Sequence, residues 1–155
     1  MPPLNLKAFM KPSRVVKGLY EAPQRDILSQ LAKPLVEDGV ILDAEQFIDD
    51  LERREAEITT VMDNGVAFPH ARSNAVKTLG LVVGLADENG IRFNPGSEVS
   101  SRLFFCIAVP AFLPTAHIGM LQALAKFARD PHRVDKILSS KTAAVASRYL
   151  ASYKG

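Results

Sequence analysis

Apolar residues recur one helical turn apart at Ile27, Leu31 and Leu35 after Pro23, a spacing that predicts an amphipathic helix. Pro34 has no amide proton and crowds the preceding turn, so the helix is expected to kink or end early there. A second helix opens at Asp43. With Gln46 it has the form of a capping box, and Phe47, Ile48 and Leu51 follow on one apolar face. The segment from Val61 to Phe68 then reads as extended chain interrupted at Asp63-Asn64-Gly65, a tight turn or hairpin.

Leu79 to Leu85 and Leu103 to Val109 are continuous apolar runs, the pattern of strands buried on both faces. Between them, Asp87-Glu88-Asn89-Gly90 and Asn94-Pro95-Gly96 bracket a short predicted strand around Ile91-Arg92-Phe93. From about Thr115 to Ala128 apolar residues fall on nearly all sides, which predicts a largely buried helix with Thr115 as a plausible N-cap. Asp130 followed by Pro131 is an N-cap with proline at the first helical position, starting a short helix through Leu138. A last helix is expected from about Lys141 to Tyr149, with Val145 and Tyr149 one turn apart. Together these elements predict an α/β chain, a single-domain α/β/α sandwich with a central mixed β-sheet flanked by helices, over residues 1–155.

Composition narrows the class. A chain of 155 residues with 47% hydrophobic side chains suits one domain with a sizeable core. The net charge of +2 comes from 19 basic and 17 acidic residues spread without a cluster, so no nucleic-acid partner is expected. Cys106, the only cysteine, sits inside an apolar run; it reads as a small buried hydrophobe, excludes an internal disulfide and fits a reducing cytoplasm. No apolar run approaches bilayer length, and Met1-Pro2-Pro3-Leu4 contains no leader-like apolar segment, so the protein is expected not to be membrane-embedded.

The register of the second helix separates two neighbouring arginines. Arg53 falls on the polar face with Gln46, Asp49 and Asp50, where Asp49 offers an exposed i−4 ion pair of about 0.3–0.5 kcal/mol. Arg54 follows Phe47 and Leu51 along the buried face and needs a partner, either Glu55 or Glu57 or a bound anion. Among the three histidines, His132 follows Asp130-Pro131 amid charged neighbours and reads as surface. His117 lies near the start of the apolar helix, where free N–H groups and the dipole favour an anion, or where a histidine simply hydrogen-bonds a helix end. At Asn64-Gly65-Val66-Ala67-Phe68-Pro69-His70-Ala71, Pro69 fixes its own φ and pushes Phe68 to extended geometry, so His70 is presented with little freedom of direction. A neutral imidazole, whose ordinary pKa is about 6.5, is nucleophilic without a separate base. Histidine pairs with helical ligand spacing, a Gly-x-Ser-x-Gly elbow and glycine-rich phosphate loops are all missing, which argues against metal-dependent hydrolysis, a Ser-His hydrolase and direct use of ATP; no metal or cofactor is expected.

The Arg54-Glu55 pair, the Ala67-x-Pro69-His70-Ala71 core and His117 downstream of Val109-Pro110 resemble the active-site pattern of enzyme IIA domains of the mannitol/fructose/nitrogen type, from the bacterial sugar phosphotransferase system, and the likeness runs from about Leu4 to Tyr149. The resemblance implies that His70 accepts a phosphoryl group, through Nε2, from the phosphohistidine of a small HPr-type carrier. It also implies that His117 supports the phosphorylated state by hydrogen bonding and that Arg54 neutralises developing charge, directly or through the carrier. Onward transfer to a IIB sugar-transporter subunit is one implied outcome, and phosphorylation-switched binding of regulatory targets is the other. Two details depart from the pattern. Val61 and Asp63 stand where small residues, often glycine, are usual, and Phe68 replaces an aliphatic residue. The expectation is that His70 remains phosphorylatable on an altered loop, with Asp63 opposing the phosphoryl group if it faces His70 and shaping partner choice if it faces solvent.

Overall fold

A computed structural model describes residues 4–155; Met1 to Pro3, part of the N-terminal stretch read above for a leader, lie outside the described residues. The chain builds a five-stranded mixed sheet with helices on both faces, as the pattern predicts. Strand β4 (Gly80–Ala86) and strand β5 (Leu103–Pro110) form its antiparallel centre. Both are buried almost throughout, which explains why neither shows polar alternation. Strand β1 (Val15–Leu19) lies parallel to β4 at one edge. At the other edge β2 (Val66–Ala67) and β3 (His70–Ser73) follow one another along β5, both parallel to it.

The sheet separates two apolar cores. One face carries α1 (Gln24–Glu37) and α2 (Ala44–Glu57), whose Leu31, Leu35, Phe47 and Leu51 pack with Val82, Phe104 and Cys106. The opposite face carries α3 (Ile118–Ala128), α4 (Pro131–Leu138), α5 (Ala143–Ala151) and short 3-10 turns at Leu6–Phe9 and Pro12–Arg14. There Met120, Leu124, Phe127, Ile137 and Leu150 pack with Phe105, Ile107 and Val83. No helix among the described residues is long and apolar enough to cross a membrane.

Several local expectations are corrected. Helix α1 runs through Pro34 to Glu37 instead of ending early. The proline sits in the last turn, where one missing amide bond is outweighed by burial of Leu35, whose carbonyl also accepts the amides of Val40 and Ile41 at 2.9 and 3.1 Å. Asp43 caps α2 through the Gln46 amide at 3.1 Å, but the Gln46 side chain turns to Asp50 at 3.0 Å instead of reaching back to the cap. The expected strand around Ile91 reduces to one antiparallel bridge, Ile91 with Ser101. Helix α3 begins at Ile118, later than Thr115, because two successive tight turns (Leu113 amide to Pro110 carbonyl, Ala116 amide to Leu113 carbonyl) consume the preceding residues. It buries one side only, since Ile118 is exposed and Leu121 and Ala125 are half-buried. The Asp130 cap of α4 and a Thr142 cap of α5 are both formed, so the last helix starts at Ala143.

Helix α1 packs closely on β4 at position 84, where any side chain would have to displace Leu31. A methyl group there would stand 2.6 Å from Leu31 Cδ2 and 3.1 Å from Leu19 Cδ2. Gly84→Ala is therefore expected to destabilise the fold by about 1–3 kcal/mol, read as a lower urea midpoint with an unchanged slope.

Candidate functional site

The site is assembled at the β2–β3 edge, where the sheet meets a helix from each face. Its foundation is the C-terminal end of α2. The Glu55 carboxylate is buried and fully engaged: Oε2 accepts the Thr59 hydroxyl and the Thr60 amide, each at 2.7 Å, and Oε1 accepts the Thr60 hydroxyl at 2.6 Å. Thr60 in turn accepts the Phe68 amide at 3.2 Å, while Met62 donates to Val66 across the expected hairpin at 2.9 Å. Gly65, with φ +83°, supplies the left-handed residue that closes this turn. Ordinary backbone suffices elsewhere, since no non-glycine residue among those described has positive φ.

Pro69 then interrupts the edge strand without changing its register, because Val66 and Ala67 face Leu103 and Phe104, and His70 resumes opposite Ile107. A proline is tolerated at an edge because the sheet asks no amide of it there; its carbonyl still accepts the Ile107 amide at 2.9 Å. His70 is the first residue of β3. Its Nδ1 stands 2.7 Å from the Phe68 carbonyl. A carbonyl can only accept, so in the neutral ring the proton resides on Nδ1 and Nε2 carries the lone pair.

His117 arrives from the other layer as the residue preceding α3, buried, with its ring centroid 5.6 Å from that of His70 and the planes 35° apart. Its Nδ1 is buried without a partner. Arg54 comes from the last turn of α2, half-buried, and donates through Nη1 to the Ile58 carbonyl at 2.8 Å. Neither Glu55 nor Glu57 pairs with it among the described residues, which removes the two carboxylate partners considered from the sequence. Arg53 pairs with Asp50 at 3.0 Å and not with Asp49, because Asp49 is drawn across to Arg25 of α1 at 2.8 Å. His132 is exposed, as expected.

Two depressions meet at His70 and Arg54. A polar cavity of about 330 Å³ also takes in Arg53, Arg72, Asp50, Glu57 and His117. A predominantly apolar groove of about 670 Å³ runs the other way, past Ile58, Met62, Leu121 and Ala125 to Arg129. Burial lowers the pKa of His70 below 6.5 despite the opposing Phe68 carbonyl, and the Arg54 guanidinium pushes the same way as burial. His117 is lowered by burial first and then by His70 and Arg72. Both rings are therefore neutral at physiological pH.

The family model described as phosphoenolpyruvate-dependent sugar phosphotransferase system, EIIA 2, matches residues 8–153. The chain belongs to this family. Among curated relatives of this EIIA type-2 chain, a fructose-specific EIIA component from Haloferax volcanii is 29% identical, covering 96% of the chain and 91% of that protein. A nitrogen regulatory protein from Pseudomonas aeruginosa is 23% identical over 90% of each. The fold is shared with enzyme IIAMTL, solved in complex with phosphorylated enzyme IIBMTL from Escherichia coli, at a TM-score of 0.77 and 19% identity, over 92% of this chain and 96% of that one.

Within this EIIA type-2 chain the departures from the usual pattern have definite places. Val61 makes an antiparallel bridge to Ala67. Asp63 is exposed in the turn and lines the apolar groove, not the polar cavity. Phe68 is buried against the Phe105 ring at 5.6 Å, whereas Phe112 is 70% exposed. Arg72 was not singled out from the sequence. The period-2 alternation of a strand starting at His70 was the signal that places it on the same side, with Ala71 and Ser73 turned inward and buried.

Both site imidazoles are expected to titrate below 6.5 in a ring-proton NMR titration of the folded protein. Between those depressed values and 6.5 the unfolded chain binds more protons, so stability rises with pH across that window and the contribution is complete above it. Urea midpoints measured at pH 5.5 and pH 7.5 check the sign, with the lower midpoint expected at pH 5.5.

Proposed function

We propose that this chain, acting as one EIIA-type unit, carries a phosphoryl group on His70, taken from the phosphohistidine of an HPr-type carrier. The observation that supports this best is the pairing of His70 Nδ1 with the Phe68 carbonyl at 2.7 Å, which leaves Nε2 as the nucleophile at the meeting point of the two depressions. In the transfer, the Nε2 lone pair forms the new P–N bond while the carrier's P–N bond breaks and its electron pair returns to the carrier ring. The Nδ1 proton stays where it is. The positive charge gained by the His70 ring is held beside the carbonyl dipole of Phe68, which keeps the phosphoryl group ready to leave again.

Phosphoryl transfer asks the protein mainly for alignment and for neutralisation of the equatorial oxygens. Pro69 and the Phe68 carbonyl supply the alignment. Arg54 supplies positive charge, and His117, facing the same polar cavity, serves as a donor to the phosphoryl oxygens through a ring N–H. The recipient is a IIB subunit of a sugar transporter, consistent with the IIA–IIB complex among the structural relatives, and the setting is the cytoplasm.

A second reading keeps the phosphorylation and ends it in regulation. It is favoured by the likeness to a nitrogen regulatory protein and by the apolar groove that shares His70 with the polar cavity. Phosphorylation would place close to two negative charges at the rim of that groove and change which proteins it accepts.

Incubation with a phosphorylated HPr-type carrier should give acid-labile, base-stable phosphate on His70, and His70→Ala should abolish it while the fold survives, read by circular dichroism; absence of label on the wild-type ring rejects the proposal. His117→Ala or Arg54→Gln should each slow single-turnover transfer about ten- to a hundredfold, the value of one charge-assisted hydrogen bond. Onward transfer to a IIB subunit favours the carrier. Phosphate-dependent protein binding without such transfer favours the regulator.

A further inference from the structure

We propose that Arg72 is a phosphoryl-binding residue of this site, a guanidinium left uncommitted in the resting protein that closes on the oxygens of the group carried by His70. The inference rests on His70 being the phosphoacceptor. Three guanidiniums line the polar cavity, and two of them are engaged. Arg53 is neutralised by Asp50 at 3.0 Å, and Arg54 spends Nη1 on the Ile58 carbonyl that ends α2. Arg72 has no side-chain hydrogen bond or ion pair among the described residues and is exposed. Glu57 shares the cavity but lies outside ion-pair distance of it.

Strand geometry makes the assignment specific. Residues two apart on a strand point to one side with their Cα atoms about 6.5 Å apart, a span an arginine side chain covers. The pairing of His70 with Ile107 and Arg72 with Val109 pins both positions on β5, and buried Ala71 and Ser73 fix which way the strand faces. The incoming group carries close to two negative charges, of which the single positive charge gained by the His70 ring offsets only part and neutral His117 none. A planar guanidinium can take two phosphoryl oxygens at once, which a point charge does not do as well. The field of Arg72 already reaches both rings, since it helps to depress the pKa of His70 and of His117.

The test uses the full chain and phosphoramidate, a small donor whose N–P bond breaks as the bond to His70 Nε2 forms, the amine leaving as ammonia with a proton from solvent. This avoids dependence on any protein partner. Labelling of His70 is read by mass spectrometry under alkaline conditions against exposed His132 in the same molecule. The wild type is expected to label His70 ahead of His132. Arg72→Gln should slow His70 labelling about ten- to a hundredfold and leave His132 unchanged, with Arg72→Lys recovering part of the rate. By NMR, the His70 pKa should move up towards 6.5 in Arg72→Gln, a readout that a purely structural role would not change. If the wild type prefers His70 and Arg72→Gln labels it equally fast, the role of Arg72 is overturned while the phosphoacceptor reading stands. If the wild type shows no preference for His70, both fall.

Discussion

The hydrogen bond from His70 Nδ1 to the carbonyl two residues earlier is the contact on which the rest of the site depends. It settles the tautomer, the ring direction and which nitrogen is free, and it exists because Pro69 holds the Phe68 peptide in place. The proline does this at small cost to the sheet. It occupies an edge, it leaves the β5 register intact, and its own carbonyl is used by Ile107. Upstream, the chain is anchored by a buried carboxylate: Glu55 gathers Thr59 and Thr60, and Thr60 receives the Phe68 amide. A carboxylate with three donors is well satisfied in a buried place, so its burial is compatible with a rigid base for the site.

The charged and aromatic groups around His70 come from different layers, and this explains why they are spread through the sequence. Arg54 belongs to the α1/α2 face, His117 to the start of α3 on the opposite face, and Arg72 to the edge strand itself. An interior position on the sheet would have a helix pressed over it. Only the rim lets side chains from both faces approach one imidazole while leaving room for a second molecule, and the two depressions that meet there differ in character, one cationic and one apolar.

Much of this architecture is legible in the sequence, for identifiable reasons. The continuous runs that become β4 and β5 are apolar because helices cover both faces, and the Asp43 and Asp130 caps announce α2 and α4. Strand β1 left no signal: it is an edge strand of five residues whose middle is polar or glycine, with an irregular register beyond Lys17. Arg54 was placed on the buried side from its helical register, yet its partner proved to be a backbone carbonyl, which carries no sequence signature. Pairing preferences on the surface were equally invisible, because Asp49 chose an arginine on another helix over its own neighbour one turn away. Arg72 needed the strand to be known to start at His70, and a proline one residue earlier hides that start.

Cys106 lies in the middle of β5, one residue before the strand partner of His70, wholly buried and with its thiol pKa pushed up to about 12 by that burial. So placed, the sulfur is protonated and unreachable, which removes it as a nucleophile. It also makes the chain its own conformational sensor. A bulky alkylating reagent meets this single thiol only when α1 and α2 lift from the sheet face they cover, so the rate of its consumption measures opening of that core without any added probe.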